Sequence, residues 1–266
     1  MKSKVSVVIP VYNSGKFLLE TIASVDMQTY ENVELIIVNN CSTEKHTLDI
    51  LKTLRENRTV VDSSLTGLSQ ARNDGIKKAS GTFILPLDAD DIIKPTFIDR
   101  CIDQFNTDIS IKVVRSQVEL FGVKNGTIFF DEYCYNKLLA RNLMVATSMF
   151  KKEDWSIIGG YDTSFTTCFE DWEFWINLLK GDGKVGTVNE TLFRYRTRKG
   201  SMMNSLNLID LKRVRKQIWK KHKAQFGKHF VDPVECFEYK YVADSKAFKM
   251  GNILLKPFER FKLMKG

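Results

Sequence analysis

Histidine is scarce in this sequence. Its 266 residues hold three, His46, His222 and His229, none beside a nucleophile, so a Ser/His/Asp or Cys/His mechanism has almost no material to work with. The five cysteines, Cys41, Cys101, Cys134, Cys168 and Cys236, are odd in number, scattered and free of any CxxC pair. That pattern argues against a disulfide framework and against a zinc site, and fits reduced thiols. No apolar run approaches the roughly 18 to 20 residues that a bilayer span needs, and neither end carries an apolar secretory region, so a cytoplasmic protein is expected. Two phosphate motifs are also missing: there is no G-x-G-x-x-G after the first predicted strand and no G-x-x-x-x-G-K-[ST] anywhere, which excludes the dinucleotide fingerprint and the P-loop. Chemistry must therefore rest on carboxylates and basic residues.

At 43% hydrophobic residues the chain can bury a substantial core. Its charge is uneven. The formal net charge is +8, but residues 201–266 alone carry 15 Lys and Arg against 6 Asp and Glu, so the basicity belongs to the C-terminal quarter. Residues 1–205 read as one domain and 206–266 as a basic, largely helical C-terminal extension.

The pattern along the chain alternates. "VSVVIPV" is a buried strand ended by the turn "YNSG"; "KFLLETIASVDMQ" spaces Phe17, Leu18, Thr21, Ile22 and Val25 as a helix does; "VELIIV" is a second strand, followed by a loop ending in a Ser/Thr cap and a helix over 45–55. "TVVDS", "GLSQARNDGIKKAS" and "TFILPL" repeat the alternation, and a helix opens near Pro95. Strand and helix in turn predict a mainly parallel sheet flanked by helices, with β-rich segments, a helix at "EDWEFWINLLK" and a further β segment beyond it. In such a sheet ligands bind off the carboxyl ends of the strands. The first strand brings Pro10, Tyr12 and Asn13 there, the second Asn39 and Asn40, and the fourth Asp88, Asp90 and Asp91. Carboxylates crowded at a strand end suit Mg2+ or Mn2+, hard cations that prefer oxygen and share their shell with a diphosphate.

The segments "VSVVIPVYN", "ELIIVNNCSTE", "LSQARNDGIKKASGTFILPLDADD", "GGYDTSFTTCFEDWEFWINL" and "YRTRKGSMM", in that order and spacing, make the chain similar to a family 2 glycosyltransferase of the GT-A fold. The resemblance implies a metal-dependent, inverting transfer of a sugar from a nucleoside diphosphate donor, UDP-linked above all, to a hydroxyl of a bacterial surface glycan or lipid-linked oligosaccharide. It lays Asp88-Ala89-Asp90 on the family's DxD, with Asp90 the direct ligand of Mn2+ or Mg2+ and Asp88 nearer the ribose or a metal water. Pro10, Tyr12, Asn40 and Arg72 fall where such enzymes hold the nucleotide, Asp171 where they keep the general base, and Glu170 beside it orients base or acceptor. A base on the face opposite the leaving diphosphate is what inverting transfer requires.

Two positions depart from the family. "NNCS" stands where relatives carry an Asp that reads uracil, so Asn40 must use an amide, which both donates and accepts. Arg198 stands where many relatives have His; a guanidinium cannot ligate a metal but can grip a diphosphate, with Arg196 helping to close the site. Plainer roles compete: Asp91 as a helix cap, Tyr12 and Asn13 as turn residues, Arg72 as a solvated helix charge, Glu170 and Asp171 as acids matching a helix dipole, and Trp172 and Trp175 as core. In "LIDLKRVRKQIWKKHKAQF", Leu211, Val214, Ile218 and Trp219 share one side, which fits either a helix lying on an anionic membrane or one packed on the domain. No nucleic-acid module accompanies the charge. A nucleotidyltransferase and a catalytically silent nucleotide-sugar-binding protein are the rival readings.

Overall fold

A computed structural model describes residues 2–166, 168–199, 208–229, 242 and 244–251. Among them, nine strands form one sheet in the order β3-β2-β1-β4-β8-β6-β9-β5, with β7 paired to β6. β1 (Val5–Val11) runs parallel to β2 (Val33–Asn39) on one side and to β4 (Phe83–Pro86) on the other; β2 is parallel to β3 (Thr59–Asp62). From β1 the chain therefore builds outward through β2 and β3, then crosses back to place β4 on the far side. That reversal opens a crevice at the carboxyl ends of β1 and β4.

Beyond β4 the sheet is mixed. β8 (Met149–Lys151) is antiparallel to both β4 and β6 (Ile111–Gly122), whereas β9 (Lys184–Thr197) runs parallel to β6 with register shifts along the way. The two-residue β5 (Ile92–Ile93) and the short β7 (Gly126–Ile128) pair antiparallel with β9 and β6. β5 and β8, with helices α5 (Tyr135–Ala140) and α6 (Lys152–Ile158), escape the sequence reading, because segments of two to seven residues carry too little periodicity to register. Of "GTIFFDEY" only the first three residues pair.

Strand alternation sorts β1 between two cores. Val5, Val7, Ile9 and Val11 face α1 (Gly15–Asp26), α2 (Lys45–Leu54) and α4 (Phe97–Thr107), while Val8 faces α3 (Leu68–Lys78) and α7 (Glu170–Leu179). α3 lies close on the sheet because Gly75 allows it: a Cβ there would stand 2.4 Å from Val8 Cγ1. α7 is buried on nearly every side, Trp172 and Trp175 included, so both tryptophans serve the core.

α8 (Leu208–Lys221) and α9 (Lys223–His229) follow. Val214 and Ile218 are 2% and 1% exposed and belong to the same apolar cluster as Trp175. The membrane-facing alternative therefore loses two of its four apolar residues: they face the protein, while the basic side of α8 faces solvent, with Ile209 and Trp219 exposed beside it. The extension beyond Gly251 lies outside the described residues. Among the described residues no helix is long and apolar enough to cross a membrane.

Candidate active site

A pocket of about 590 Å³ lies at the carboxyl ends of β1, β2 and β4. Pro10, Tyr12, Asn40, Arg72, Asp88, Asp90, Asp91, Glu170, Asp171, Arg196 and Arg198 all line it, so the crevice gathers every site residue singled out in the sequence except Asn39 and Asn13. Asn13 stands outside the lining. With φ at 48°, its side chain instead pins the neighbouring loop: Oδ1 accepts the amides of Thr43 and Glu44 at 2.8 and 2.9 Å, and Nδ2 donates to Thr43. The residue at the cap position before α2 is Glu44 rather than Ser or Thr, and it makes no side-chain cap bond; its carboxylate accepts the Thr47 hydroxyl at 2.5 Å.

Tyr12 offers a ring that is 51% exposed at the pocket mouth. Asn40 is buried; its Oδ1 accepts the Gly67 amide at 2.8 Å, so the backbone takes one lone pair of its carbonyl, and the second lone pair and two N–H donors are left for a ligand. Asn39 has a purely local role, donating to Asp62 at 2.9 Å and accepting from the Ser42 amide at 3.0 Å. An aspartate could not make that first bond.

Arg72 is the centre of the arrangement. Its side chain is fully buried, with one terminal nitrogen 2.9 Å from Asp88 Oδ1 and the other 2.6 Å from Glu170 Oε1. Burial alone would weaken its hold on the proton, but the charges of Asp88 and Glu170 outweigh it and keep the guanidinium charged. It is not a solvated helix charge; it lines the pocket from a fully buried position. The next residue, Asn73, ties α3 to the "GGYD" turn through Tyr161 N–H and C=O at 2.9 and 2.8 Å. Tyr161 stacks on Phe174 at 3.9 Å and lies under the guanidinium.

The acidic cluster divides its labour among arginines. Asp90 Oδ2 lies 2.8 Å from Arg198 Nε; burial and then the charge of Asp88 push its carboxyl up, while Arg198 pulls it down. Asp91 is no helix cap: α4 begins after Thr96 without a side-chain cap bond, and Asp91, 2% exposed, accepts the Arg196 amide at 2.7 Å. Burial, then Asp90 and Asp88, hold it well above the usual carboxylate range. The Arg196 side chain bonds the Asp90 carbonyl and Glu20 and is sandwiched by Phe17 and Phe121, so it braces the cluster. Asp88 and Asp90 supply hard oxygen donors of the kind Mn2+ or Mg2+ takes. They fit such an ion as a partial shell only, since among the described residues no three carboxylates, histidines or cysteines group closely enough to hold a metal.

Opposite this cluster, Phe169 in the left-handed conformation turns the chain into α7. Asp171 follows in the first turn, where an ionised acid suits the helix dipole. Its Oδ1 accepts the Trp172 amide at 2.7 Å and its Oδ2 accepts Asn142 Nδ2 at 2.9 Å. Burial first and Glu170 second push its pKa up to about 7; Arg72 and the two hydrogen bonds oppose the rise. Asn142 escapes the sequence reading. Its only trace is a polar residue inside the apolar run "LLARNLMVAT", with no motif around it.

A model of the family described as "Glycosyl transferase family 2" matches residues 6–150. Among curated proteins, glycosyltransferase GlyA of Streptococcus pneumoniae serotype 4 is 29% identical over 220 residues, which cover 75% of this chain and 31% of that protein. The chain thus spans about a third of that relative's length. Among solved structures, Staphylococcus aureus TarS residues 1–349 in complex with UDP-GlcNAc align with a TM-score of 0.66 at 18% identity, over 91% of this chain and 80% of that one. The mannosyltransferase PcManGT of Pyrobaculum calidifontis, in complex with GDP-Man and Mn2+, aligns with a TM-score of 0.65 at 17% identity, over 97% and 75%. These likenesses establish the GT-A fold of the chain.

Proposed function

This chain belongs to glycosyl transferase family 2, and from that premise we propose that it moves a sugar, with inversion, from a nucleoside diphosphate donor to a hydroxyl of a bacterial surface glycan or lipid-linked oligosaccharide. UDP is the nucleotide favoured. One observation carries the reading: buried Arg72 bonds Asp88 on one wall of the pocket and Glu170, the neighbour of Asp171, on the other. Two carboxylate groups of opposite duty are thereby held across one cavity.

In the reaction Asp171 accepts the proton of the acceptor hydroxyl while that oxygen attacks the anomeric carbon from the face opposite the diphosphate. The bond from that carbon to the diphosphate breaks, and its electron pair leaves with the diphosphate. A carboxyl with a pKa near 7 is matched to taking a proton at neutral pH without holding it. Tyr12 supplies a face for the base, and Asn40 supplies N–H donors for a base carbonyl. Asp90 and Asp88 would hold Mn2+ or Mg2+, a Lewis acid that compensates the charge of a leaving diphosphate. Arg198, beside Asp90, is within the same wall to bind phosphate oxygens. The basic face of α8 would seat the enzyme on the cytoplasmic side of an anionic membrane, where lipid-linked acceptors present themselves.

Incubation with a panel of UDP- and GDP-sugars and Mn2+, with release of nucleoside diphosphate as the readout, tests the reading. Turnover is expected in the wild type and its loss in Asp90→Ala. Asp171→Asn should lower transfer by about 10²- to 10⁴-fold. Binding of a donor without turnover would favour a silent binding protein, and full transfer by Asp171→Asn would remove Asp171 from the base role.

A further inference from the structure

The base carboxylate is held by a residue outside every motif. Asn142 follows α5 directly, in a segment whose Leu143 carbonyl is bonded by the buried guanidinium of Arg115 and whose Leu143 and Met144 side chains sit in the core. α5 is itself fastened to α7, because Trp172 Nε1 donates to the Leu138 carbonyl at 2.6 Å. The carboxamide of Asn142 has one orientation available: its Oδ1 accepts the Met144 amide at 3.2 Å, so its nitrogen must face Asp171 Oδ2, 2.9 Å away. We propose that Asn142 is a positioning residue for the transfer, its carboxamide fixing Asp171 Oδ2 so that the base meets the acceptor hydroxyl in one orientation and in its ionised form. The inference rests on the reading of Asp171 as the base given above.

The physical case is a balance of neighbours. Glu170 adds like charge from the same helix, while Tyr161 faces it from the "GGYD" turn as a neutral phenol, its own ionisation opposed by burial and by the charge of Asp171. Arg72 from α3 favours the ion, but it is shared between Asp88 and Glu170. Arg215 of α8 lies over the Trp172 ring and bonds the Ala140 carbonyl, so it braces α5. Two hydrogen bonds reach Asp171 directly, the Trp172 amide and Asn142. An amide N–H can only donate, and a donor favours the carboxylate over the acid. Each Asp171 oxygen has two lone pairs, which leaves room for the acceptor hydroxyl beside either bond.

The test is the pH dependence of kcat/KM for nucleoside diphosphate release, with whichever UDP- or GDP-sugar of the panel the wild type turns over, in Asn142→Leu and Asn142→Asp. Leu keeps the size and removes the donor; Asp keeps the size and adds like charge. The acid limb should move to higher pH by about one unit in the Leu variant, the size that one hydrogen bond to a charged group supports, and further in the Asp variant. UDP binding by calorimetry and the Tm should stay near wild type. A loss that is equal at all pH values, or one that tracks a fall in Tm and in UDP binding, would make Asn142 merely structural and overturn the proposal. Should the Leu variant fail to fold, the Asp variant decides alone: an unmoved acid limb overturns the proposal. A wild type that turns over donor while both variants keep its profile sinks Asn142 only, whereas a wild type with no turnover sinks the transferase reading itself.

Discussion

At Asn40 a single atom decides what the nucleotide pocket can read. The carbonyl oxygen already accepts from Gly67 N–H, so the amide can donate to a uracil carbonyl while the N3–H of that base meets only a neutral oxygen shared with the backbone. Replacing Asn40 with Asp keeps one oxygen for Gly67 and supplies a second, charged one for N3–H. Asn40→Asp is therefore expected to tighten UDP about tenfold, the equivalent of ~1.4 kcal/mol, with little change for CDP, whose N3 accepts rather than donates; calorimetric titration with both decides. Asp171 gives a second residue-scale result. Its folded pKa, near 7, lies above the ordinary carboxylate value, so the folded state binds the extra proton and the contribution of Asp171 to stability falls as pH rises from about 4 through 7. Asp171→Asn should accordingly be more stable than wild type at pH 8, with the advantage shrinking toward pH 5, measured as denaturant midpoints. An unchanged difference across that range would mean that the carboxyl is not perturbed. The places of Asp88, Asp90 and Asp171 in the pocket were legible in the sequence, because each stands at the end of a periodic element inside a segment that carries the family resemblance. Asn142 was not, because its partner lies 29 positions away and nothing local marks it.

Elements, rather than residues, bring the two halves of the site together, and α3 is the one that does so. Arg72 and Asn73, adjacent in sequence, reach Glu170 at the start of α7 and the Tyr161 turn before it. The sequence shows α3 as a helix through its apolar spacing, but Arg72 reads there as a nucleotide contact or a surface charge and not as a bridge, since helical periodicity carries no information about a carboxylate 98 positions on. The same limit hides α5, α6 and β8, whose lengths fall below a readable period although they fasten Asn142 and the middle of the sheet. Removing the Arg72 charge leaves Glu170, 7% exposed, without its cation. Breaking one partner of a buried pair costs about 3–5 kcal/mol, so Arg72→Met should lower the urea midpoint sharply and weaken both UDP binding and transfer. A variant that kept wild-type stability would show that the bridge is dispensable. Arg72→Lys should recover only part of the loss, because an ammonium cannot fork between two carboxylates on opposite walls.

Over the whole molecule, α8 in the basic C-terminal quarter has two faces with different work. The inner face of α8 is structural: Val214 and Ile218 join the core, and Lys221 and His222 reach Glu173, 1% exposed, at 2.9 and 2.8 Å. Ending the chain at residue 205 would forfeit about 3–6 kcal/mol of apolar burial from those two side chains and would strand a buried carboxylate, against a total stability of about 5–15 kcal/mol. Such a truncated chain is expected to lack a cooperative thermal transition, so it cannot serve as the control for membrane binding. The outer face supplies a better one. Lys212, Lys216 and Lys220 are exposed on α8, and each lysine near an anionic surface is worth about 1 kcal/mol. Lys212→Glu, Lys216→Glu and Lys220→Glu together in the full chain should preserve the Tm, because none of the three packs inward, and should abolish flotation with phosphatidylserine-containing vesicles while leaving the behaviour toward neutral vesicles unchanged. Equal retention of wild type and the triple variant would end the membrane proposal and leave the charge of α8 as a solvated face.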